Sequence, residues 1–413
     1  MAQGTNREYS ADKIRNIALV GHGGSGKTTF TEGLLFVTGT TNRLGKVDEG
    51  STVSDYHPDE IERKISINAS LLHCDWQGFK LNLLDTPGYS DFVGEVIGSL
   101  RVADAAIVLI KAVEGTEVGT EIVWNVARAY KTPSLILINK LDNENSEFDH
   151  ALVTAKERFG HDVAVVQFPV NEGLPFDSVV DVLRMKLLKF NRDGSGKYAE
   201  QEIPSDLKSK AESLHEELIE KIAETDEELM NKFFEDGTLK DAELLRGMRI
   251  ALNTRKIFPV FCGAASMNIG LSTLMDFLTQ YAPSPKDRGA VPAKDLHGKK
   301  EITVAPEPAG RPALFVFKTV SEQHVGELSY FRVYSGSITP GMDMLNESNG
   351  KSERLGQLFL MNGKDRKEVG KLTAGDIGAV VKLKDTHTNN TLSNKTFPVE
   401  FQPIVFPDPV IRM

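Results

Sequence analysis

The stretch GHGGSGKT, residues 21 to 28, limits what this chain can fold into more than any other. It stands between the apolar run NIALV and the helix-like run TTFTEGLLFV, so a strand must turn into a helix through a loop holding four glycines. That geometry lets successive backbone N–H groups curl around an anion at a helix N-terminus, and the spacing G-x-x-x-x-G-K-[ST] suits the phosphates of a nucleotide. Lys27 adds a point charge between the terminal phosphates, and the Thr28 hydroxyl can ligate Mg²⁺. Function on such a loop lies at the carboxyl edge of a sheet, which predicts an α/β fold with helices on both faces.

The rest of the chain continues the pattern. KLNLLDT leads into DFVGEVIGSLRVA, AAIVLIKA into GTEIVWNVARAY, and SLILINK into FDHALVTAKERFG, an alternation of strand and helix that marks a sheet covered by helices. A further strand, AVVQFPV, precedes a change of character near Asn171. From Ser205 to about Arg255 the chain is helical and acidic, with Leu207, Ala211, Leu214, Leu218 and Ile222 at helical spacing and Thr225 with Glu228 as a capping box for the next helix. These features predict an inserted subdomain, 171–256, inside a first domain of residues 1–285 whose sheet resumes in IFPVFCGAAS. The Pro-, Gly- and charge-rich segment 286–310 reads as a linker. From 311 to 413 short alternating strands between tight turns, among them ALFVFKTV, SERLGQLFLM, DIGAVVKL and FPVEF, predict an all-β barrel.

With 413 residues the chain can hold two or three cores. Its 40% hydrophobic and 26% charged residues are those of a soluble globular protein, and a net charge of −10 argues against a strongly basic nucleic-acid surface while leaving room for a local basic patch. The two cysteines, Cys74 and Cys262, lie in apolar surroundings and read as buried small hydrophobes in a reducing compartment. No apolar run reaches membrane-spanning length, and the opening MAQGTNREYS has no secretory apolar region, so a cytoplasmic protein with no membrane partner is expected.

Two further motifs follow the phosphate loop. Asp85-Thr-Pro-Gly88 ends the run KLNLLD, which sets a carboxylate at a strand end where it can hold Mg²⁺ through water; Gly88 can turn its N–H to the terminal phosphate with no side chain in the way. Asn139-Lys140-Leu-Asp142 follows SLILI. A carboxylate there can accept from N1–H and N2–H₂ of guanine, a pair that adenine does not offer, so Asp142 would select GTP over ATP. Alone, each is an ordinary polar turn; their order along the chain makes them a set.

The segments GKTTFTEGLLFVTG, DTPGYSDFVGEV, INKLD, AETDEELMNKFFEDG, FPVFCGAAS, QYAPSP and FRVYSGSITPG, in that order, resemble the translational GTPases and, within them, the elongation factor G family, over almost the whole chain. The resemblance implies a GTPase domain of the phosphate-loop class with the family's insertion, followed by a β-barrel second domain. It also implies three further domains, so Pro-Val-Ile-Arg-Met413 falls where the barrel should end and the chain reads as an amino-terminal piece. By the same resemblance Gly21, His22, Gly23, Gly24, Ser25, Gly26, Lys27, Thr28 and Thr29 hold GTP or GDP, and Thr28, Ser66 and Asp85 hold Mg²⁺. Ser66 belongs to Arg63-Lys-Ile-Ser-Ile67, which stands for the family's R-G-I-T-I, with Lys64 in the place of glycine. Asp85 and Gly88 form the second switch, Asn139, Lys140 and Asp142 hold guanine, and the backbone of Gly263, Ala264 and Ala265 reads the base oxygen, Ala264 standing where the family has serine. The implied partner is the ribosome, RNA and protein together, met by a monomer, and the implied work is translocation in elongation.

Two departures sit near the reaction. Gly24 replaces an aspartate, and Tyr89 replaces the histidine that orients the attacking water. A phenol exchanges hydrogen bonds but does not become a cation, so a catalytic centre of Gly88 and Tyr89 is expected to hydrolyse slowly while still binding nucleotide. Three readings follow: a ribosome-associated GTPase, a GTP-dependent ribosome-binding factor with weak hydrolysis, and a ribosome-protection protein, which would share the first two domains. The acidic helices of the insertion read as a solvated face or as a surface for a basic ribosomal protein.

Overall fold

Strand β1 (Ile14–Gly21) is buried at every position, as a strand covered on both faces must be, and its IALV reads as an unbroken apolar run for that reason. The computed structural model describes residues 8–322 and 326–408. Among these, the first sheet takes β1, β2 (Ser70–Trp76), β3 (Phe79–Asp85), β4 (Ala105–Lys111), β5 (Ser134–Asn139) and β6 (Val163–Val165). The chain then builds a separate antiparallel sheet from β7 (Gln167–Pro169), β8 (Ser178–Asp181), β9 (Lys186–Phe190) and β10 (Tyr198–Gln201), and returns as β11 (Phe258–Cys262). The order is β2-β3-β1-β4-β5-β11-β6, parallel except for β2. This order brings the carboxyl ends of β1 and β3 together, and those of β5 and β11, so the motifs that follow these strands share one edge.

Around the sheet lie α1 (Lys27–Val37), α2 (Pro58–Arg63), α3 (Val93–Val102), α4 (Val118–Ala129) and α5 (Phe148–Phe159); the insertion adds α6 (Ser205–Ala223), α7 (Glu227–Asp236) and α8 (Asp241–Thr254), and α9 (Leu271–Tyr281) follows β11. The helices bury one face each: α1 covers the sheet with Phe30, Leu34 and Leu35, and α6 buries Ala211, Leu218 and Ile222. Cys74 and Cys262 are buried free thiols.

Four details differ from the sequence expectation. AVVQFPV is two strands: Val163–Val165 pairs with β11, Gln167–Pro169 pairs with β8, and the chain changes sheets at Val166, a step that an apolar run conceals. The cap of α7 is Asp226, whose carboxylate accepts from the N–H groups of Glu228 and Leu229 at 3.1 and 3.2 Å; Thr225 instead donates its hydroxyl to the Ile222 carbonyl at 2.7 Å and finishes α6. Segment 286–310 holds a hairpin, β12 (Val291–Asp295) and β13 (Lys300–Val304), solvent-facing enough to keep a linker's composition. FPVEF supplies Val399–Phe401, which pairs with β12.

The β-rich part is an eight-stranded antiparallel sheet led by β14 (Ala313–Glu322) and β15 (Gly326–Ser335), around a core that includes Leu314, Val316, Phe331, Val333 and Leu358. It docks on the first sheet through buried polar pairs. Lys80 Nζ meets Asp376 at 2.7 Å, Arg332 meets Asp104 at 2.8 Å, and Asn16 donates to Asp104 at 2.7 Å and to the Gly375 carbonyl at 2.8 Å. Apolar burial alone is non-directional, whereas these pairs set one docking register.

Candidate functional site

Gly26, the residue before α1, has φ 95°, and a Cβ there would stand 2.4 Å from Asn139 Nδ2; both the turn and the approach of the neighbouring loop require glycine. Lys27 then points back along the loop, its ammonium donating to the carbonyls of Gly21 and His22, each at 3.0 Å. Burial lowers its pKa to about 8, against the opposing pull of Asp85 and Asp55. An ammonium held on two carbonyls out of water interacts with a phosphate more strongly than one in solvent.

Thr28 Oγ1 lies 3.0 Å from Ser66 Oγ, so α1 and the loop after α2 bring two hydroxyls together. Beside them Asp85 is 1% exposed; its Oδ2 accepts from Ser54 at 2.7 Å, while Oδ1 has no hydrogen-bond partner among the described residues. Burial pushes the Asp85 carboxyl up to about 6. Asp55 is pushed up to about 7 by burial and then by the neighbouring charge of Asp85, with the Ser66 hydroxyl working the other way. Two buried carboxylates, that of Asp55 raised further by the charge of Asp85, an unpartnered carboxylate oxygen and two adjacent hydroxyls make a set of hard oxygen donors with surplus negative charge, which fits Mg²⁺. Asp55 and Ser54 escaped the sequence reading because no motif spacing marks them; only the path of the first switch across β3 brings them here.

The segment from Val53 to Asn68 is held from within the protein. Glu32 accepts from the Val53 N–H at 2.6 Å, and Glu60, 1% exposed, accepts from the N–H groups of Ile67 and Asn68 at 3.0 and 2.9 Å. Lys64 ends α2 at φ 57°, so the left-handed turn persists with a lysine in it, at a cost of roughly 1–2 kcal/mol relative to glycine.

The turn at Gly88 lies directly on the loop of Gly23 and Lys27: a Cβ at Gly88 would stand 2.5 Å from Lys27 Nζ and 2.6 Å from Gly23 N. Tyr89 follows, 45% exposed, with ring carbons 3.1–3.3 Å from where a Gly23 Cβ would be, so the phenol covers the loop. Gly23, Gly24, Gly26, Lys27, Thr28, Thr29, Asp55, Ser66, Gly88, Tyr89 and Lys140 all line one cavity of about 310 Å³. Larger cavities of about 740 and 840 Å³ lie at the junction with the β-rich part and beside the insertion, and hold none of the motif residues.

At the other end, Asn139 ties three loops. Its Nδ2 donates to the Ser25 carbonyl at 2.9 Å, and its Oδ1 accepts from the Ala265 N–H at 3.0 Å. The Gly263 N–H bonds within the sheet to the Ile138 carbonyl, and the Ala264 N–H to the Ile269 carbonyl, so both hold the loop rather than face the cavity. Asp142 accepts from Ser266 Oγ at 2.6 Å, a brace the sequence reading missed because Ser266 stands one residue past the motif. Ser266→Ala is expected to free the carboxylate to rotate and to weaken GTP binding by about 1 kcal/mol, roughly five-fold, in a fluorescent-nucleotide titration. The ring of His22 turns away from the cavity toward α4: the Gly119 N–H donates to Nδ1 at 3.2 Å and Nε2 lies 3.3 Å from Glu117.

Known proteins share the fold. Residues 12–284 match the family described as Elongation factor Tu GTP binding domain, and residues 311–395 match Elongation factor G domain 2. A crystal structure of a protein from Thermus thermophilus superposes with a TM-score of 0.84 at 31% identity, covering 97% of this chain and 57% of that one, so this chain spans little more than half the length of that protein. With the GTPase family matched over most of its length and the elongation factor G second domain after it, the chain belongs to the translational GTPases and is elongation factor G-like.

Proposed function

We propose that this chain is the GTP-binding part of a ribosome-associated GTPase of the elongation factor G type, acting in elongation as a cytoplasmic monomer and hydrolysing GTP slowly. The observation that carries the reading is the meeting of the Thr28 and Ser66 hydroxyls, with Asp85 beside Thr28, since one residue from the loop and one from each switch would then sense the same nucleotide. Lys27 would neutralise the terminal phosphates, Thr28 and Ser66 would hold Mg²⁺ directly, and Asp85 with Asp55 would hold it through water. The metal, when bound, supplies charge neutralisation on the phosphate oxygens. Gly88 would offer its N–H to the terminal phosphate. Asn139 and Asp142 would hold guanine, and the backbone around Ala265 would lie next to the base. The division into a first domain to 285 with its insertion at 171–256, a connector to 310 and a second domain beyond it remains part of the proposal, supported by the family matches at 12–284 and 311–395. No helix of the described residues is long and apolar enough to cross a membrane.

The position of Tyr89 favours a second reading, a factor that binds the ribosome in its GTP form and hydrolyses little. Both readings require guanine selection by Asp142. Asp142→Asn is expected to weaken GTP by about 1–3 kcal/mol and to raise preference for xanthosine triphosphate, whose 2-oxygen accepts from the new amide. Calorimetric titration decides this; unchanged GTP binding would remove Asp142 from the base site.

A further inference from the structure

We infer that His22 is a positioning residue, setting the carbonyl that holds Lys27 by anchoring its own ring to the N-terminus of α4. This rests on the nucleotide-site reading above. Two facts on one residue carry it. The His22 carbonyl accepts from Lys27 Nζ at 3.0 Å and from the Ser25 N–H at 3.2 Å, so its direction fixes both the ammonium and the turn of the loop. The ring of the same residue accepts the Gly119 N–H on Nδ1, which leaves the proton on Nε2, facing Glu117 at 3.3 Å. Glu117 is held in turn by Lys111, which reaches Glu114 as well, both at 3.1 Å.

Both ring nitrogens are thus in use, and the ring stands outside the residues that line the cavity. Without that anchor the backbone of His22 is free to turn and carry the carbonyl away from Lys27. The α4 N-terminus therefore controls how firmly the loop presents its cation to a β-phosphate, which GTP and GDP share.

Gly119 offers a test that leaves the loop sequence intact. A Cβ there would stand 2.5 Å from His22 Nδ1 and meets no other group as closely, so Gly119→Ala displaces the ring while its helix gains a residue of higher propensity. Fluorescent GDP and GTP are titrated into the unmodified protein, Gly119→Ala, His22→Ala, His22→Asn and the Gly119→Ala with His22→Ala pair, and each unfolding midpoint is measured. Gly119→Ala and His22→Ala are each expected to weaken both nucleotides about ten-fold with little change in midpoint. His22→Asn, whose Oδ1 replaces Nδ1, should stay within about two-fold, and the pair should be no weaker than either single change. Full affinity in Gly119→Ala, independent losses that multiply in the pair, or no rescue by asparagine would overturn the assignment. Should either alanine variant fold poorly, Glu117→Ala replaces it, with a smaller loss expected that vanishes in the His22→Asn background if only Nδ1 matters, and full affinity again counting against the assignment. Failure of the unmodified protein to bind guanine nucleotide would overturn the nucleotide-site reading as well.

Discussion

Tyr89→His is expected to raise single-turnover GTP hydrolysis on ribosomes by about 10²-fold or more, with GDP affinity changed less than about two-fold, because a positioned acid–base group contributes roughly 10²–10⁴ in rate. Tyr89 is half exposed and lies over Gly23, next to Gly88 and Lys27, so a side chain at this position already reaches the phosphate loop. What the phenol lacks is the ability to carry a positive charge near neutral pH. The groups expected to bind phosphate, metal and base are elsewhere, which is why binding and hydrolysis should separate. Gly24 adds a second limit. It has φ 73° with no atom within 4 Å of a Cβ position, so an aspartate has room, and aspartate tolerates left-handed backbone better than most residues. Gly24→Asp with Tyr89→His should therefore exceed either change alone. If Tyr89→His slows hydrolysis, the phenol is itself part of the machinery.

The second large effect concerns the docking of the β-rich part. Arg332 and Asp104 face one another with side chains 6% and 2% exposed; burial opposes the charge on Arg332, but Asp104, Tyr334 and Asp376 together outweigh it and keep the guanidinium pKa raised. Asp104→Ala leaves that cation buried and unpaired and also removes one of the two acceptors of Asn16, so a loss of about 3–5 kcal/mol is expected from the denaturation midpoint. Removing both charges, as Asp104→Leu with Arg332→Met, should be much less harmful, since an apolar pair of similar volume has no charge to desolvate. Equal losses in the single and double variants would show that the cost comes from packing and not from the stranded charge.

The fold class could be read because the parallel sheet buries both faces: runs such as IALV and SLILI leave few alternatives, and a strand turning through GHGGSGKT into a helix fixes the edge on which the site lies. Local chemistry was less legible where it depends on partners far along the chain. Val166 changes sheets inside an apolar run, and Asp226 displaces Thr225 as a cap because the threonine hydroxyl is drawn to the preceding helix. The same limit applies at the site. Contiguous motifs named Lys27, Thr28, Asp85, Asn139 and Asp142, which follow or end strands whose carboxyl ends share one edge of the sheet, but Asp55, Ser266 and the contacts of the His22 ring arise from loops meeting in space, for which no spacing rule exists.

The most direct measurement is the rate of GTP hydrolysis by the unmodified protein in its longest natural form, at saturating GTP, with and without ribosomes, beside a histidine-bearing elongation factor G and with ATP as a control. Guanine nucleotides are expected to bind and ATP not to, and ribosomes to stimulate a turnover that stays about 10²-fold or more below the histidine-bearing factor. Equal turnover in the two factors, or binding with no preference for guanine, would contradict this expectation.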